Sequence, residues 1–264
     1  MDRASRPGAT VRRAGLLTLI TGFLGIAGLS LAGCASPSSS PGAGSSPGTA
    51  TASASPGLSV PGTHQATSRY QITAPVSTVV IVSHVGNVTV TGGSDPAVSV
   101  TQQAYYSKTP PATTRTVSGN TLTVTYDCPA QLVCGVTYTL AVPRSVTVRV
   151  TAGAGAVRLA GLAGSVTAKA SVGLVSATGL TSASASLTTR VGGISASFAA
   201  APATVQASTT VGAITVRVPG TVSYKIAADA RVGKTTISAP QSASSDHVIT
   251  ATTDAGAIVV ATSP

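Results

Sequence analysis

Glutamate and tryptophan are absent from this 264-residue chain, phenylalanine occurs twice, methionine once, and charged residues make up only 8%. Six acidic residues, all aspartate, leave little material for the paired carboxylates of general acid and base catalysis. The 3% aromatic content argues against the stacking platforms on which single-stranded nucleic acids and sugars are held. Three cysteines are too few for a small disulfide-built scaffold.

What fills the chain instead is Ala, Val, Thr, Ser and Gly, a mixture that favours strands and turns over helices. Within it a corner recurs: Val172-Gly173-Leu174-Val175, Val191-Gly192-Gly193-Ile194, Val211-Gly212-Ala213-Ile214 and Val232-Gly233-Lys234-Thr235. Looser copies stand at Ala154-Gly155-Ala156-Val157 and Ala255-Gly256-Ala257-Ile258, and an early one at Val85-Gly86-Asn87-Val88. From Gly155 to Gly256 the spacing stays near 20 residues, which marks stacked units that cannot bury an apolar face singly. Between corners the residues alternate, as in Ile214, Val216 and Val218 against Thr215 and Arg217, so one set faces inward. The expectation is an all-β fold: a right-handed β-solenoid with about 20 residues per turn, the alternative being a β-sandwich with regular turns.

The first 33 residues read as an export address. Arg3, Arg6, Arg12 and Arg13 precede an apolar run from 14 to 32, which ends in Leu31-Ala32-Gly33-Cys34. This order resembles the bacterial lipoprotein lipobox, which implies cleavage before Cys34 and lipidation of its thiol. Anchorage by two or three acyl chains is stable where one is marginal. An ordinary signal peptide or an uncleaved apolar helix is the alternative. Residues 34–68 follow as a Ser/Gly/Pro-rich tether expected to stay disordered, and 69–264 as the β-repeat domain. From Cys34 onward twelve basic residues face five acidic ones, a bias of +7 that suits anionic lipid or acidic wall polymer as a partner.

Before the regular repeats the chain offers strands at Val79–Val82, Val98–Tyr106, Thr121–Tyr126, Val136–Val142 and Val146–Thr151. Between two of them lies Cys128-Pro129-Ala130-Gln131-Leu132-Val133-Cys134. In an exported chain this spacing predicts a disulfide closing a hairpin tip.

Val85-Gly86-Asn87-Val88-Thr89-Val90, the strand end Leu140-Ala141-Val142-Pro143 before Val146-Thr147-Val148, and the serial glycine corners together resemble the DUF4097 group of adhesin-like domains, over roughly residues 75–262. That resemblance implies a right-handed β-helix-like domain outside the cytoplasm, with adhesion or envelope-stress roles and no established chemistry. Members commonly carry aspartate after the corner glycine, whereas Ala156, Leu174, Gly193, Ala213, Lys234 and Ala257 stand there in this chain.

No catalytic set emerges. Asp246 and His247 are the one adjacent acid–histidine pair, and neighbouring strand residues point to opposite faces, so the expectation is a solvated loop at the head of Val248-Ile249. No zinc-type spacing and no nucleophile elbow is present, and Gly233-Lys234-Thr235 lacks the glycine a phosphate loop requires upstream. One sharper candidate remains: Arg190 and Arg231 each precede a corner glycine by two residues and, with Lys234, could line one edge two turns apart and bind a polyanion. The reading is therefore a non-enzymatic, lipid-anchored extracytoplasmic protein with an adhesin-like or surface-binding repeat domain. The second reading is an accessory or sensor of envelope stress. No cofactor, metal or nucleic acid is expected, and the partner is the membrane through Cys34, with an acidic wall polymer, anionic lipid or another surface protein. The glycine corner itself reads as structural, leaving function to the faces between corners.

Overall fold

The structure, a computed structural model, describes residues 63–263, so the address and most of the tether, with Cys34, lie outside the described residues. Those residues form strands and no helices.

The repeating unit is a pair of strands joined by a glycine corner, one strand in each of two sheets. The pairs are β2 (Thr78–Val85) with β3 (Val88–Gly93), β8 (Thr147–Ala154) with β9 (Val157–Ala160), and β10 (Val166–Val172) with β11 (Val175–Leu180). They continue as β12 (Ser184–Val191) with β13 (Ile194–Phe198), β14 (Thr204–Val211) with β15 (Ile214–Val218), β16 (Lys225–Val232) with β17 (Thr235–Ile237), and β18 (Val248–Ala255) with β19 (Ile258–Thr262). β6 (Thr121–Asp127) and β7 (Cys134–Pro143) make an eighth pair whose corner is the cysteine loop. Successive pairs stack in parallel, register by register, as expected for a solenoid.

Two departures from simple sequential stacking matter. At the amino end β7 and β6 lie outside β3 and β2, and three further strands extend the sheets antiparallel: β1 (His64–Ile72), β4 (Val98–Tyr106) and β5 (Ala112–Ser118). This end has the sandwich character of the alternative reading. β1 already begins at His64, inside the stretch expected to be tether. β1 and β5 escape the sequence pattern because they are edge strands with almost no buried residue, so apolar alternation is missing. At the other end the last pair, β18 and β19, inserts between β14/β15 and β16/β17. The resulting orders are β1-β4-β7-β3-β9-β11-β13-β15-β19-β17 in one sheet and β16-β18-β14-β12-β10-β8-β2-β6-β5 in the other.

The core is the narrow slot between the sheets. Its central turns are filled by small residues such as Ala168, Ala177, Ala185, Ala196 and Ala207, set among Leu159, Leu187 and Phe198, all buried. Towards the amino end the filling becomes aromatic, with Tyr126 and Tyr138 fully buried and their ring centroids 6.2 Å apart.

Seven corner glycines, Gly86, Gly155, Gly173, Gly192, Gly212, Gly256 and Gly233, follow one another up one edge with φ between 129° and 150°. Such torsions are nearly closed to L side chains. Each corner N–H except that of the last, Gly233, donates to the residue before the next corner glycine, as in Gly173 N to Val191 O at 2.9 Å and Gly192 N to Val211 O at 2.8 Å. The backbones approach so closely that a Cβ on any of them would overlap a carbonyl oxygen of the neighbouring turn.

Candidate binding surface

The corner column positions a row of exposed apolar side chains. Val191 has the parity of the inward residues Ala185, Leu187 and Thr189, but the chain turns at Gly192 before anything can cover it. The same happens in each turn, and the ladder register aligns Val85, Ala154, Val172, Val191, Val211, Ala255 and Val232. Val85, Val172, Val191, Val211 and Val232 are 44–67% exposed, and Leu174, just past its corner, is 44% exposed. At a strand spacing of about 4.8 Å the seven positions make a ridge about 29 Å long. An exposed apolar surface thus flanks the corners as well as the strand faces between them.

Beneath the corners the polar groups are satisfied from inside. Thr189, Thr209 and Thr253 are 1–4% exposed. Their hydroxyls donate to Gly173 O, Gly192 O and Gly212 O at 3.2, 3.0 and 3.1 Å. Each threonine stands three residues before its own corner glycine, a spacing readable in the sequence as Thr-x-x-Gly.

The ridge ends at the cysteine loop. Cys128 and Cys134 are disulfide-bonded, as their spacing predicts. The loop holds Leu132 out to 97% exposure. Between the loop and the first corner lies a cleft of about 480 Å³ lined by Val85, Gly86, Tyr105, Leu132, Val133 and Thr137. On its buried flank the Tyr126 hydroxyl donates to Val85 O at 2.6 Å and accepts from Val85 N at 2.5 Å, fixing the first corner.

The basic residues are placed differently from the sequence expectation. Arg190 and Arg231 share the corner edge, but the insertion of β18 sets them three strands apart, with Thr210 and Asp254 between. Arg231 forms an exposed ion pair with Asp254 at 3.5 Å. Lys234 lies beside Arg231 at the last corner, around Gly233. Arg231 and Lys234 therefore flank the same corner, Arg231 already paired with Asp254, and Arg190 stands apart.

Asp246 is exposed in the loop ahead of β18, whereas His247 is half-buried. Its Nδ1 lies 2.7 Å from Pro202 O and its ring packs edge-on to Tyr224 at 5.7 Å, so it is a packing residue and not a solvated one. Burial raises the pKa of Tyr138 well above the ordinary tyrosine value and raises that of Tyr224, and it raises that of Tyr70 as well against the opposing pull of the Arg115 guanidinium.

No family model matches the chain, and no curated protein matches it. Among solved structures it is similar to a candidate cell-adhesion protein from Clostridium sporogenes, at 13% identity and a TM-score of 0.40, over 76% of this chain and 100% of the other. It is also similar to candidate adhesins from Bacteroides fragilis (16% identity, TM-score 0.43, 76% and 97% covered) and Parabacteroides distasonis (12%, 0.32, 75% and 97%).

Proposed function

We propose that the protein is an extracytoplasmic, lipid-anchored binding module of the DUF4097 adhesin-like kind, with no catalytic role, which holds another surface protein on its corner ridge. The observation that carries this reading is the ridge: a continuous apolar row of five half-exposed valines and two alanines on one edge, continued by Leu132, in a chain whose outer strand faces are mainly polar. Contiguous exposed apolar surface marks an interaction site far more than scattered single residues do. Because the ridge side chains contribute little to the core, their conservation of apolar character from turn to turn is better accounted for by binding than by packing. Arg190, Arg231 and Lys234 along the same edge add long-range attraction for an acidic partner or an anionic surface. Anchorage through Cys34 would keep the module within a few tens of ångströms of the membrane, if the Ser/Gly/Pro-rich stretch ahead of His64 behaves as the coil its composition predicts.

The test is photocrosslinking on intact cells with the full chain, comparing wild type with the Val191→Asp/Val211→Asp double variant. Both positions are exposed, so the fold should survive. The reading expects the variant to lose its crosslinked partner while keeping its strand signal by circular dichroism. An unchanged crosslinking pattern would remove the ridge from the function, and a Cys34→Ser chain that still fractionates with membranes would remove the anchor.

A further inference from the structure

The two ends of the solenoid are finished in opposite ways. At the amino end the inward positions turn polar and clasp the two sheets together. Gln102 of β4 donates from Nε2 to the Thr113 hydroxyl of β5 at 3.0 Å, and the Arg115 guanidinium of β5 lies 4.5 Å over the Tyr70 ring of β1. An inward charge on an edge strand is a standard block against further strand pairing. End repeats of solenoids need such polar finishing to stay soluble and single.

The carboxyl-side end carries no such inward charge. β16 and β17 are the outermost strands, each paired on one side only, to β18 and β19. The inward residues are apolar except Thr235, which stands opposite Ile258 and is exposed, and Ile226, Ala228, Ala230 and Ile237 are half-buried against the core. Only the start of β16 is covered, where Tyr224 N donates to Pro240 O at 2.9 Å and Ser242 N to Tyr224 O at 3.0 Å. Lys225 N points the other way, to His247 O at 2.8 Å. By the alternation of strand backbones, the N–H and C=O groups of Ile226, Ala228 and Ala230 face the open edge.

We propose that this end is closed by the same end of a second copy of the chain, in a two-fold dimer that continues both sheets. Ala230 and Thr236 stand three residues before and three residues after the corner Gly233, so one axis normal to the sheets can pass through both. Antiparallel pairing about that axis sets Ala230 against its own copy in one sheet and Thr236 against its own copy in the other. On the outer face it places Asp229 opposite the partner copy's Arg231, and Arg231 opposite the partner copy's Asp229, two ion pairs from one self-complementary strand. The partner strand turns away at its own corner opposite Ala227, before reaching the segment that covers Tyr224. The inward Ala228, Ala230 and Ile237 of both copies then close one largely apolar slot, in which Thr235 of each copy stands opposite Ile237 of the other. A two-fold contact of this kind requires a surface that complements itself, and β16 supplies one.

The experiment uses the full chain in mild detergent. Thr236→Cys places a thiol on the axis and should trap a disulfide-linked dimer that reductant dissolves. Thr252→Cys, equally on an outer face but one strand in from the end, should not. In sedimentation, Asp229→Arg faces arginine with arginine and should weaken the dimer about tenfold, while Asp229→Arg/Arg231→Asp restores it. A monomeric wild type, equal trapping at Thr252→Cys, or no recovery in the charge swap overturns the proposal. All the substituted side chains are exposed, so loss of folding is not expected to intervene.

Discussion

Replacing Gly212 by alanine tests the corner column at its centre. The new Cβ would overlap Gly192 O and lie 2.5 Å from Gly192 C, both rigid backbone atoms, at a φ of +150°. The strained torsion alone costs on the order of 1–3 kcal/mol. Relieving the overlap pushes apart two turns held by Gly192 N to Val211 O at 2.8 Å and Ile194 N to Ala213 O at 2.9 Å, and each such bond contributes about 1 kcal/mol. The sum, about 3–5 kcal/mol, is a large share of the roughly 5–15 kcal/mol that stabilises a domain. Two controls separate torsion from crowding. Gly119→Ala meets nothing within 4 Å at a φ of +55°, so it should cost only the left-handed torsion, about 1–2 kcal/mol. Gly193→Ala has no left-handed torsion and finds Ala213 O at 3.3 Å and Leu174 Cδ1 at 3.4 Å, so it should stay within about 1 kcal/mol of wild type. Urea unfolding followed by circular dichroism measures all three. A Gly212→Ala chain no less stable than Gly119→Ala would refute the close-approach account of the corners.

Two smaller effects follow from the same interior. Thr209→Val keeps the shape but removes the bond to Gly192 O, and should cost about 1 kcal/mol in the same unfolding assay, with the exposed Thr210→Val unchanged. Tyr138 holds its proton in the folded state above the pH at which an unfolded tyrosine, with a value of 10.0, releases it. Its contribution is therefore complete below pH 10 and lost as pH rises beyond, at up to about 1.4 kcal/mol per pH unit. Tyr138→Phe should flatten that alkaline fall and, since the Tyr138 hydroxyl is buried without a partner, cost little at neutral pH.

The glycine corners were legible because a single steric requirement, backbone against backbone, repeats in every turn and admits one residue type. The strand Val98–Tyr106 and the disulfide were legible for similarly local reasons. The order of the turns was not. Gly233 and Gly256 head equivalent corners, and nothing within either repeat says that β18 rather than β16 lies against β14. That choice is made by long-range fit: Ile249 and Ala251 are fully buried in the inner turn, whereas Ile226 and Ala228 of the outer one stay half-exposed. β1 and β5 were invisible because an edge strand needs no apolar alternation.

The ridge was hidden by the same rule that revealed the core. Period-two reading assigns Val172, Val191, Val211 and Val232 to the interior, since each continues the parity of buried neighbours. The glycine that follows reverses the chain one residue too early for burial, and the valine is left on the rim. A corner that needed only turning could carry Ser or Thr at that rim, as the outer faces of β12 and β14 do at Ser186, Thr188 and Ser208. Half-exposed valine gains about half of its transfer free energy, of order 1 kcal/mol, and risks self-association for it. Five valines placed this way in one register, beside Leu132 at 97% exposure, are more than local strand preference accounts for, and the partner proposed for the ridge would supply the burial that folding alone withholds.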